Sequence, residues 1–107
     1  MGIVLKSLAN ARLNSASAVN VYPSSGTATK PALIKSMRFV NVSTTTAATL
    51  TLKLTHGGVT KQISPAISVA AKDLYVERQE ITLGVGDALL ASGQQFDYVI
   101  SGIERDV

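Results

Sequence analysis

From Ala48 to Thr55 the chain alternates without a break: Ala48, Leu50, Leu52 and Leu54 fall on one side, Thr49, Thr51, Lys53 and Thr55 on the other. A period of two residues is that of a pleated strand with one dry face and one wet face. Leu33 to Val42 is a longer run with apolar groups on both sides, as for a strand covered on both faces, and it ends at Ser43-Thr44-Thr45-Thr46. The two runs predict a hairpin. His56-Gly57-Gly58 makes the next turn, and Val59 to Ile63 is a short strand stopped by Pro65, which cannot donate to a ladder. After a small-residue link through Ala70 and Ala71, Leu74 to Arg78 and Glu80 to Leu83 read as two more strands. Gly84-Val85-Gly86-Asp87 then turns the chain into Ala88 to Ser92, and Gly93-Gln94-Gln95 turns it into Phe96 to Glu104.

Upstream, Ala18 to Tyr22 is a strand between Asn14-Ser15-Ala16-Ser17 and the turn Pro23-Ser24-Ser25-Gly26-Thr27. Residues 1 to 17 hold Ile3, Val4, Leu5, Leu8, Ala11 and Leu13 among Asn, Ser and Lys, a pattern that fits a strand about as well as a short helix, and they read as an arm. Residues 18 to 107 then form a single domain. About eight short strands, with no helix of ordinary length needed after residue 17, predict an all-β fold, an antiparallel β-sandwich of jelly-roll type with an N-terminal arm. Its expected core is Val19, Val21, Ile34, Val40, Val42, Leu50, Leu52, Leu54, Ile63, Leu74, Val76, Ile81, Leu83, Leu89, Phe96, Tyr98 and Ile100.

Composition changes the picture in one respect. Charged residues are 16% of the 107, against about 25% in ordinary domains, while apolar residues reach 46%. A chain this small exposes much of its surface and normally carries more charge, so part of that surface is expected to be covered by other subunits. Charge is also segregated. Residues 1 to 72 carry eight cations and no acid, and residues 73 to 107 carry all seven acids against Arg78 and Arg105. Neighbouring copies could therefore meet through a basic early strand and an acidic late one. Without cysteine, stability rests on packing and hydrogen bonds. The apolar run in Met1 to Lys6 is too short to read as a signal peptide or a membrane span, so no membrane partner is expected.

Chemistry finds little footing. Gly84-Val85-Gly86-Asp87 begins like a phosphate loop but lacks the third glycine and leads into a strand, so it reads as a tight turn with Asp87 on local amides. His56, the single histidine, has no acidic neighbour in sequence and reads as an exposed turn residue, a poor metal ligand and a poor general base. The seven acids show no particular spacing, and no activated nucleophile is evident, so neither catalysis nor a cofactor is expected. The cations are dispersed singly and five aromatics make no stacking platform, which disfavours nucleic acid. A small-molecule substrate has no evident site either.

Met37-Arg38-Phe39-Val40-Asn41-Val42-Ser43, the alternating Ala48-to-Thr55 strand, Ile63-Ser64-Pro65, Ile81-Thr82-Leu83 with Gly86-Asp87, and Tyr98 to Glu104 resemble small β-sandwich structural proteins of tailed bacteriophages. The resemblance covers residues 33 to 104. It is carried by three recurrent elements of that group: R-x-V-N at Arg38 to Asn41, L-x-x-G-D at Leu83 to Asp87, and a closing SG-E at Ser101 to Glu104. It implies a non-enzymatic virion component, assembled in the cytoplasm of the bacterial host, whose partners are its own copies and other virion proteins such as the major capsid or a neck or tail protein. A capsid decoration or cement protein is the leading expectation. A neck or tail ring component is the runner-up, and a carbohydrate-binding β-sandwich module, which would need exposed aromatics at a groove, is the alternative from another class. The interface candidates are Ile3, Val4, Leu5, Leu8 and Leu13 of the arm, with Arg38 from the first recurrent element.

Overall fold

The computed structural model describes residues 3–23 and 26–105. Its strands are β1 (Ile3–Tyr22), β2 (Ala32–Asn41), β3 (Ala48–His56), β4 (Val59–Gln62), β5 (Ile67–Val69), β6 (Leu74–Glu77), β7 (Ile81–Leu83) and β8 (Ala88–Arg105), with no helix among the described residues. Every pairing is antiparallel, and the strands join into one eight-stranded sheet that does not close into a barrel.

β8 is the spine of that sheet. Along one edge it pairs with β1 for nearly its whole length, from Ile3↔Arg105 to Tyr22↔Leu89. Its other edge is divided: Ala88–Ser92 pair with β3, and Phe96–Glu104 pair with β2. Between these halves Gly93 has φ 157 and Gln95 φ 62, and β1 slips register opposite them between Ser15 and Val19. The long strands thus change course together. The Gly93-Gln94-Gln95 segment, expected as a turn between two strands, is such an irregularity inside a single one.

Residues 1 to 17, expected as an arm, are over their described part the beginning of β1, and the boundary at residue 17 falls inside that strand. The expectation failed because polar Asn and Ser residues interrupt the pattern, whereas backbone pairing with β8 is indifferent to side-chain polarity. β5, three residues long, lies within the segment expected as a link between strands.

One core cluster draws on both halves of the sheet: Leu13, Val21 and Tyr22 from β1, Ile34, Met37 and Phe39 from β2, Leu50 and Leu52 from β3, Val69, Leu83, and Leu89, Ala91, Phe96, Tyr98 and Ile100 from β8. Phe39 packs edge-on to Phe96 at 6.4 Å and tilted on Tyr98 at 5.7 Å. Val40 and Val42, expected inside, are only partly buried. The cause is a bulge between Ile34 and Ser36, where one extra β2 residue faces β8. It inverts the phase, so that Ile34 faces inward before it and Met37, Phe39 and Asn41 after it. Val19, Ile63 and Leu74 are corrections of another kind: at 40%, 39% and 48% exposure they lie on or beside outer strands, β1, β4 and β6, that pair along one edge only among the described residues.

Candidate functional site

The register lines up an outer face on the half of the sheet opposite the core. One row across the strands reads Asn10 on β1, Val99 on β8, Arg38 on β2 and Val76 on β6. The next reads Arg12, Asp97, Val40 and Leu74. Alternation places these side chains on the side away from Phe39 and Tyr98. Val99 and Leu74 are 37% and 48% exposed, Val40 and Val76 are partly buried, and Arg38 is exposed beside them. The face is therefore an apolar patch of four side chains bordered by the Arg38 guanidinium, with Ser36 and Ser101 in the row beyond it and the Arg12–Asp97 pair at its β1 side. There Arg12 Nε donates to Asp97 Oδ1 at 2.6 Å, which raises the arginine pKa and lowers that of the carboxyl.

The remaining interface candidates fare differently. Leu13 is 1% exposed and belongs to the chain's own core, and Leu8 is half-buried against that core. Both are turned inward by β1's pairing, which the arm reading did not foresee. Ile3, Val4 and Leu5 pair through their backbones with Arg105, Glu104 and Ile103, and their side chains lie outside the described residues.

The residues that carry the resemblance hold the fold. Asn41 is buried, donates from Nδ2 to Thr46 O at 2.9 Å and Val69 O at 3.1 Å, and accepts the Ser43 amide at 3.0 Å, tying the β2–β3 turn to β5. Asp87 accepts the Gly84 amide at 2.9 Å, as expected for a tight turn, and also meets His56 Nδ1 at 3.0 Å. The Gly84 amide first, then His56, hold its carboxyl below the ordinary carboxylate range. His56 thus has an acidic neighbour after all, because the β3–β4 and β7–β8 turns lie side by side. The histidine ring is 78% exposed and reaches Asp87 at the surface. Glu104, in the closing element, accepts the hydroxyl proton of the buried Tyr22, whose pKa is raised by burial first and by this carboxylate second.

Segregated charge is used within the chain. Because early strands lie against late ones, Arg12 pairs with Asp97, Lys35 with Glu80 and His56 with Asp87. Among the described residues no group of His, Cys, Asp and Glu is placed to hold a metal ion, and no helix is long and apolar enough to cross a membrane. A groove of about 580 Å³ opens beside the irregular part of β8, and its lining, which includes Thr49, Thr51, Ser92, Gln94 and Gln95, carries neither charge nor aromatic ring. Tyr22 and Tyr98 are buried and Tyr75 donates to Glu77 at 2.9 Å, so the tyrosines do not form an exposed platform.

Comparison with protein-family models, with curated proteins and with solved structures finds no match.

Proposed function

We propose that the protein is a non-enzymatic structural component of a tailed-phage virion, a decoration or cement protein that attaches to the capsid through repeated subunit contacts. The observation that carries this reading is the outer face, where Val40, Leu74, Val76 and Val99 lie beside Arg38 on a chain already poor in charge. An apolar patch bordered by an arginine matches the composition of interface cores, where arginine is enriched and other charges are depleted. The sequence resemblance supports the same class. A cryo-EM map of the virion tests it: density for this chain at many icosahedrally related positions supports decoration, density at one vertex reassigns it to the neck or tail, and absence from purified particles overturns the proposal. Arg38→Ala and Val99→Asp, both on the exposed face, are expected to weaken particle attachment at least about tenfold, or about 1.4 kcal/mol, while leaving the thermal midpoint almost unchanged.

A further inference from the structure

The half of the sheet that bears this face has two unlike open edges. Going across it, β1 (over Ile3–Leu13), β8, β2 and then β6 with β7 alternate in direction, each antiparallel to the last. β6 and β7 together line the outer side of β2, opposite Met37–Val40 and Ala32–Ile34. The two short strands, separated by the non-strand residues 78–80, therefore share one edge that runs beside β2 from Ala32 to Val40, about 30 Å at ordinary strand rise and comparable with the reach of β1 from Ile3 to Leu13. Among the described residues neither edge pairs with another strand.

Their charges are opposite. β1 carries Lys6 and Arg12 and no acid. The other edge, with its flanking residue, carries Asp73, Glu77 and Glu80 against Arg78. Asp73 and Glu77 enter no ion pair among the described residues, and Arg12 and Glu80, although bonded to Asp97 and Lys35, remain 57% and 51% exposed. Pairing β1 with β1 of another copy about a two-fold axis would gather cations, and pairing β6 with β6 would gather acids. Only unlike edges match.

We propose that copies of this chain associate head to tail, β1 of one adding as a strand beside β6 and β7 of the next. The alternation makes this geometrically natural. A copy added in the same orientation sets its β1 antiparallel to β6, so the sheet continues with the pairing sense it has throughout. A heterologous contact of this kind closes into a ring when its rotation divides a full turn, and strand addition supplies main-chain hydrogen bonds along β6 and β7. This deepens the assembly reading above by naming the contact between copies, and it is measured on the purified protein without any particle.

The chain has no cysteine, so introduced ones report alone. Asn10→Cys chains are mixed with Leu74→Cys chains, and separately with Val76→Cys chains to cover a shifted register, under mild oxidation. Cross-linked dimers containing one chain of each kind are expected, and an Asn10→Cys/Leu74→Cys double variant should give a ladder ending at the ring size. Glu77→Lys should weaken self-association about tenfold, and raised salt should act in the same direction. Asn10→Cys cross-linking to itself instead would mean a two-fold β1 contact and overturns the proposal, as does the absence of mixed product from a protein that scatters light as a monomer. A ladder from a protein that never binds particles would retain this contact and remove the virion reading.

Discussion

Gly102 shows how tightly single positions are constrained. It sits in β8 between Lys6 of β1 and Ile34 of β2, beside the β2 bulge, and a Cβ there would lie 2.1 Å from the Leu33 carbonyl oxygen. The atoms it would meet are all β2 backbone, at Leu33 and Ile34, so nothing flexible can move aside. Gly102→Ala is expected to cost at least the about 1–3 kcal/mol of an overpacked core, whereas Gly84→Ala, whose Cβ would meet only Asp87 Oδ2 at 3.6 Å, should cost far less. Urea denaturation of the two variants checks the contrast. Asp87 sets a pH dependence. Its folded pKa is depressed below the ordinary aspartate value of about 3.9, chiefly by the Gly84 amide. The stability it contributes is therefore fully present above that value and is lost as pH falls through the lower folded pKa. Asp87→Asn should flatten the loss of thermal midpoint below about pH 4.

At the scale of the element, β2 is two half-strands of opposite phase joined by a bulge. Phe39, fully buried against Phe96 and Tyr98, should cost about 3–5 kcal/mol on change to Ala, while Val40→Ala, on the outer face, should cost about 1 kcal/mol or less. An unbroken alternation from Ile34 would predict the reverse order, so chemical denaturation of these two variants tests the bulge itself. β3 keeps its phase but not its expected partner: β2 and β3 do not form the predicted hairpin, because β8 lies between them and pairs with both, and Leu54 at the far end of the alternation is only partly buried. Leu50 and Leu52 are fully buried where the alternation placed them, and Gly57 and Gly58, both at positive φ, close its two-residue hairpin with β4.

For the whole molecule, β1 decides the architecture. It covers one full edge of β8 and contributes Leu13, Val21 and Tyr22 to the core. An arm that crossed to another copy could be removed with the rest of the domain intact. Deleting residues 1 to 17 from this structure instead strips Leu13 from the core and bares the edge of β8 along Phe96–Arg105. The truncated chain is expected to lose its cooperative denaturation transition, checked by circular dichroism through a urea series. Retention of a native-like transition would return the segment to the status of an arm.

The strand class, the turns and much of the core were legible in the chain itself, because alternation, glycine pairs and proline stops act over a few neighbouring residues. Ala48 to Thr55 needed nothing beyond its own order of side chains, and Asp87 on a local amide followed from the turn residues around it. Three things were decided only in the tertiary structure. The Ile34–Ser36 bulge depends on how β2 meets Gly102 across the ladder, a contact between residues far apart in sequence. The pairing of Arg12 with Asp97 and of His56 with Asp87 required knowing that the first strand lies beside the last and that two turns adjoin. The outer face beside Arg38 exists because four strands come into register, and no stretch of the chain contains it. Local order sets which residues form strands; the register between strands sets which of them share a surface.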